Sequence, residues 1–465
     1  MTRAESANLR PEPAVPRDYR FPRWERHWLG NGLQLVIAPV RRLPIVTLSM
    51  LIDAGAVSEQ NGDEGVANLT AQVLVEGTTR LSGTELAERF ERLGGSLDAG
   101  ASWDFATLTT TVLSERLLDA FGLFSEVLRS PALPERELLR LKTERLAELL
   151  QLRAEPRGLA DEMFARFIYQ EASRFALPET GSVTSIARVG LAEVEAFYKA
   201  RYLPGGMTLI VVGDIDVGTV VALAERTLGD WAPGTPGRAS AIDQPARSTR
   251  AVHIVCKTDA PQSEIRLGHV GLPRMHPDHF PVLVMNAVLG GLFSSRINLN
   301  LREVHGYTYG AFSAFDWRRQ AGPFYVSTAV KSDVTSEAVR EILLEMDRIR
   351  SEGIGSDELS LATSYLAGVF PIRYETTAAI AQALSALVVY GLADDYFDAY
   401  RSAVRGVTIA DVLTAASRHL HPESLQLLVL GDPAVVREPV ERLGLGPVGV
   451  YDSEGATLSN YHQRA

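Results

Sequence analysis

A repeat limits what this chain can fold into more than any other feature does. Residues 189–216 read VGLAEVEAFYKARYLPGGMTLIVVGDID, and residues 407–434 read VTIADVLTAASRHLHPESLQLLVLGDPA. Val189, Ala192, Val194, Pro204, Leu209, Gly213 and Asp214 match Val407, Ala410, Val412, Pro422, Leu427, Gly431 and Asp432, every pair 218 residues apart with no gap. Each copy reads as a helix, a proline-marked turn and an apolar strand ended by Gly-Asp. An offset held in register over that length is the mark of internal duplication. The 465 residues also exceed what one hydrophobic core fills. The reading is therefore residues 1–19 as a flexible lead-in, 20–230 as a first domain, 231–250 as a Pro/Gly/Ser-rich linker, 251–443 as a second domain and 444–465 as a tail.

Composition excludes several function classes. Hydrophobic residues make up 46% and charged residues 22%, with a net charge of −11, a balance that argues against a nucleic-acid binder. One cysteine, Cys256 in the strand pattern AVHIVCKT, rules out an internal disulfide framework. The first twenty residues hold no apolar run of signal-peptide length, and no continuous apolar stretch reaches the length of a membrane span. The expectation is a soluble cytoplasmic chain, or a periplasmic one if a leader has been removed.

In the first half, an Asn-Gly turn at Asn31–Gly32 feeds the strand LQLVIAPV, and a second strand, VTLSMLIDAG, follows. A glycine-entered helix covers residues 65–76, with Val66, Leu69 and Val73 at helical spacing. Helices are expected over 84–93, 117–128 and 135–152, with a strand pair from residue 96. In the second half, residues 289–315 read LGGLFSSRINLNLREVHGYTYGAFSAF. This predicts a glycine turn at Gly290–Gly291, a helix carrying Arg296 and Arg302, a break at Gly306 and a strand from Tyr307. That bend places Arg302, a fork of donors, and Tyr309, a phenolic donor, where both can grip a carbonyl oxygen. Local pattern alone favours the plainer reading, in which Arg302 complements a helix C-terminus and Tyr309 is an ordinary strand aromatic.

The duplicated chain, with NGLQLVIAPVRRLPIVTLSMLIDAG, GVANLTAQVLVEGT and the GG…SR…LRE…GYTYG run, resembles the insulinase/pitrilysin metallopeptidases over nearly its whole length. The likeness is greatest to the short bacterial members and to mitochondrial processing peptidase. With the repeat, it implies an α+β fold: two duplicated domains, each a mixed, largely antiparallel sheet packed against helices. In that family an H-x-x-E-H helix binds zinc, because two His one turn apart share a face and the Glu between them activates the bound water. The matching positions here are Asn68, Ala71 and Gln72, and the third-ligand position falls on Glu148. Both imidazoles and the base are missing, so no zinc is expected on this motif and Glu148 reads as a solvated helix residue.

The resemblance also implies a substrate-binding Arg and Tyr seven positions apart, matching Arg302 and Tyr309, which hold the scissile carbonyl and stabilise the oxyanion. Some relatives divide this work between an H-x-x-E-H chain and a chain lacking the motif. The leading expectation is the second kind of chain: a non-catalytic, substrate-binding subunit of a two-chain zinc metalloendopeptidase. It binds no cofactor itself and pairs with a homologous H-x-x-E-H subunit that carries the zinc. Peptide would add to a sheet edge near residues 102–108. The alternative is a catalytically dead scaffold of the kind found in respiratory complexes. A third possibility is a self-sufficient enzyme with another metal at His276 and His279. Pro277 and the following apolar helix FPVLVMNAVL suggest instead that HPDH is a helix entry with polar caps. His419 and His421 read as surface variation. Gly444-Leu445-Gly446-Pro447-Val448-Gly449 fits G-x-G-x-x-G but follows a helix and has too little chain after it for dinucleotide binding.

Overall fold

The computed structural model describes residues 19–171, 173–237 and 247–458. The lead-in, apart from Tyr19, and the middle of the linker lie outside them. The first sheet holds β1 (Glu25–Trp28), β2 (Gln34–Pro39), β3 (Ile45–Ile52), β4 (Leu97–Ala101), β5 (Ala106–Leu113) and β6 (Met207–Gly213), in the order β1-β2-β6-β3-β5-β4. The second holds β7 (Ala251–Cys256), β8 (Gln262–Val270), β9 (Ala311–Phe315), β10 (Pro323–Lys331), β11 (Gln426–Gly431) and β12 (Val448–Tyr451), in the order β12-β7-β11-β8-β10-β9. In the first sheet only β2 and β6 run parallel; in the second, β11 and β12 both run parallel to β7. The remaining pairs are antiparallel. The fold is thus two α+β domains with mixed sheets, and the Gly-Asp strands of the repeat are β6 and β11, inside their sheets.

The copies differ at one edge. In the first sheet the outer strand, β1, precedes the repeat unit; in the second it is β12, which follows it. The stretch expected to be a tail, 444–465, therefore contributes a sheet strand at Val448–Tyr451. Gly444 (φ 65) and Gly446 (φ 127) turn the chain, a Cβ at Gly446 would fall within 3.0 Å of the Arg250 carbonyl carbon, and Val252 N–H then donates to Pro447 O at 2.9 Å. The glycine pattern serves that turn.

The central strands of both sheets are buried on both faces because the domains exchange helices. On β2 and β6, Leu35, Ile37, Leu209 and Val211 face the first domain's own helices, while Val36, Ala38, Ile210 and Val212 face the second domain. The helix Thr377–Tyr390 covers that second face, and Thr47 Oγ1 meets Thr377 Oγ1 at 2.8 Å. Reciprocally, the helix Pro156–Ile168 lays Leu159, Met163, Phe164 and Phe167 on Val255, Leu428 and Leu430 of the second sheet. Arg266, fully buried on β8 and paired with Glu264 of the same strand at 2.9 Å, fixes it there through Asp161 at 2.6 Å. Pro156 thus opens this helix as well as closing the one before it, Glu135–Ala154, an N1 proline being compatible with a helix start. Phe21 also crosses, stacking on Phe397 at 4.4 Å, so the domain beginning at residue 20 owes its first turns to the second core.

Candidate functional site

The degenerate zinc motif lies on the helix Val66–Leu74, entered from Gly65 in a left-handed conformation (φ 95). Gly65 provides no cap, and Glu59 replaces one: its Oε1 accepts from Gly65 N–H and Ala67 N–H, both at 3.0 Å. Its Oε2 accepts from Arg174 at 2.6 Å, and neither side chain reaches solvent appreciably. Burial pushes the Glu59 carboxyl up to about 7, against the pull of Arg174 and the two backbone donors. Asn68 and Gln72 are one turn apart and half-buried, while Ala71 is buried. Glu148 is 64% exposed and pairs with Arg145 at 3.1 Å. Two amides, a methyl group and a solvated carboxylate do not fit a tetrahedral zinc, which takes imidazole, thiolate or inward-facing carboxylate ligands.

Arg302 and Tyr309 occupy a firmly held bend in the second domain. Gly290 and Gly291 are not a turn but the end of a widened helical segment, Ala287–Gly291, that continues the helix His279–Asn286. A Cβ on Gly290 would come within 2.5 Å of Ser313 N, so glycine lets this helix end press on β9. A short helix, Arg296–Asn298, runs into a second widened segment, Leu299–Val304, which carries Arg302. Gly306 (φ 66) ends it, and Tyr307 N–H donates to Leu301 O at 2.8 Å. The strand then starts at Ala311, four residues later than the sequence pattern suggests, because Thr308 bonds Gly310 N–H and turns the chain.

Polar side chains that sequence reasoning missed hold this bend. Asn298 Nδ2 donates to Phe293 O at 2.6 Å, and its Oδ1 accepts from Ala311 N–H at 3.0 Å. Asn286 pairs with Ser313 in both directions, and Arg296 makes a bidentate pair with Glu358 at 2.6 and 2.7 Å. Apart from Phe293, five residues from Asn298, their partners lie 13 to 62 residues away, so no local pattern announces them.

The two functional candidates themselves face outward. Tyr309 is 93% exposed and Arg302 about a third exposed; Arg302 lies over the Phe293 ring at 4.6 Å and beside Glu303 at 3.4 Å. Tyr309 is not a strand aromatic. Phe293 and Val304 are also at least 70% exposed, so the bend displays cation, phenol and apolar surface together. The open sheet edge near the motif helix is β4; residues 102–108 form the β4–β5 turn and the start of β5, which is paired on both sides. Among the described residues, the one stretch apolar and long enough to cross a membrane, His279–Val304, is interrupted at residues 292–295 and half-buried.

The histidines are arranged differently from the sequence reading. His279 turns inward against Trp317 (ring centroids 4.4 Å apart), and burial lowers its pKa to about 3. His419 is not surface variation: it is 8% exposed and bonds Asp278 at 2.7 Å, with His276 alongside. Residues 141 apart in sequence form this cluster, which explains why the HPDH run alone did not reveal it.

A family model described as "Insulinase (Peptidase family M16)" matches residues 37–176, and one described as "Peptidase M16 inactive domain" matches residues 188–366. The chain belongs to the insulinase (M16) family. It is similar to a Bacillus subtilis protein named "Uncharacterized zinc protease YmxG", 23% identical over 76% of this chain and 85% of that one. A Mycobacterium bovis protein named "Uncharacterized zinc protease Mb2805c" is 23% identical over 91% and 96% of the two chains. Among solved structures, the M16 inactive domain from Pseudomonas fluorescens superposes with a TM-score of 0.82 at 26% identity, covering 88% of this chain and 98% of that one. A Helicobacter pylori protease shares the fold, with a TM-score of 0.81 at 19% identity, covering 88% and 99% of the two chains.

Proposed function

We propose that this insulinase-family chain is the zinc-less, substrate-binding subunit of a two-chain metalloendopeptidase. Its partner is a homologous chain with an intact H-x-x-E-H helix and the zinc. Arg302 and Tyr309 hold the peptide carbonyl beside that zinc and donate to the oxygen on which charge develops. The observation that carries this reading is the exposure of Tyr309 on a bend held by buried hydrogen bonds. Such a bend presents a side chain rigidly, and among the described residues none bonds that side chain.

The test is a mixture of the purified chain with a homologous H-x-x-E-H chain, assayed for peptide cleavage. Activity is expected only in the mixture. Arg302→Ala or Tyr309→Phe should lower kcat by about 100-fold while assembly persists, the loss typical of one oxyanion donor. Unchanged turnover in both variants would overturn the role. A catalytically dead scaffold is the second reading, favoured by the exposed apolar surface of Phe293 and Val304. It predicts a complex that forms through this face and cleaves nothing.

A further inference from the structure

His276, Asp278 and His419 each offer a ligand atom, all within 4.8 Å of one another, and they belong neither to the zinc-motif helix nor to the Arg302 bend. From this cluster we infer a metal site that takes a divalent cation of the zinc class. Two imidazoles and one carboxylate are the donor set for such an ion, with a fourth position left for water.

The local geometry supports the assignment. Asp278 is the N-cap of the helix His279–Asn286, yet its carboxylate caps nothing and turns instead to His419 Nε2 at 2.7 Å. Ligand atoms around a four-coordinate zinc at about 2.0–2.1 Å lie roughly 3.3 Å apart, so atoms within 4.8 Å of one another need close by no more than about 1.5 Å. Two groups oppose the ion. Asp278 N–H donates to His276 Nδ1 at 3.1 Å, a bond the metal must displace, and Arg418 sits 3.8 Å from the Asp278 carboxylate.

A bound ion would join the start of the helix His279–Asn286 to the end of the helix Ile409–His419, which leads into β11. The first of these helices continues toward the bend that carries Arg302, so the ion would brace the support of that bend. The inference does not depend on the proposed peptidase role.

The experiment uses the full chain, stripped with a chelator and titrated with zinc chloride by calorimetry and thermal unfolding. One saturable site and a raised Tm are expected. His276→Gln changes a half-buried loop residue and should weaken binding by at least about 100-fold. Arg418→Gln removes the competing cation and should tighten it. Asp278→Asn, which can still bond His419, is a second ligand variant if the first misfolds. Absence of saturable binding would overturn the inference, as would binding that both ligand variants leave unchanged.

Discussion

Replacing Glu59 by Gln should flatten the dependence of stability on pH between about 4.5 and 7. The Glu59 side chain is fully buried, and its carboxyl is raised from 4.5 to about 7 in the fold. Between those values the folded chain holds a proton that the unfolded chain has released. The folded state then binds more protons than the unfolded one, so stability falls as pH rises through this window. Stability from this group is complete below 4.5 and has been lost once pH passes about 7. The difference is worth about 3 kcal/mol at 1.36 kcal/mol for each pH unit. A glutamine keeps an oxygen for Gly65 and Ala67 N–H, and Arg174 keeps its bonds to Leu177 O, Pro178 O and Glu179 O, so the variant should fold. Urea unfolding at several values from about pH 5 to about 8 reads the slope for both proteins. If Glu59→Gln retained the wild-type slope, the carboxyl would not be titrating inside the fold and the argument would fail.

Other perturbations test other parts of the molecule. Phe167→Ala empties the stack of Phe167 on His253 (ring centroids 3.9 Å apart) and should destabilise the whole chain by about 3–5 kcal/mol, read as a single shift in denaturant midpoint. Gly290→Ala forces a methyl against the Ser313 backbone and should cost about 1–3 kcal/mol. Arg302→Ala should leave the denaturant midpoint within about 0.5 kcal/mol of wild type, since its partners are exposed. A large loss of stability in that variant would mean that Arg302 is structural.

The duplication was legible because β6 and β11, with the helices before them, keep their apolar spacing in both copies. The missing zinc ligands were legible too, since Asn68, Ala71 and Gln72 stand in a short continuous run. Other features depend on pairings that no local pattern records. An amphipathic helix such as Pro156–Ile168 shows that it has a buried face, not which sheet will cover it. β12 is four residues long, and its glycines gave a motif match that hid a turn. The cluster around Asp278 needed His419, and the bend around Arg302 needed Asn286 and Asn298, whose amides look like ordinary polar positions until their partners are placed. Residues 102–108 have strand composition, but only the pairing order tells an edge from an interior strand.

The exchanged helices also set the order of events on the ribosome. When residue 230 has emerged, the first sheet has all its strands, yet Val36, Ala38, Ile210 and Val212 still lack the helix Thr377–Tyr390 that covers them. At a synthesis rate of about 5–20 residues per second, that face stays bare for roughly 10–30 s. A nascent chain in that interval presents a greasy, nearly finished domain, the kind of surface that chaperones engage. The two halves therefore mature together, and a protease that later nicks the linker would leave a single particle held by its crossed helices.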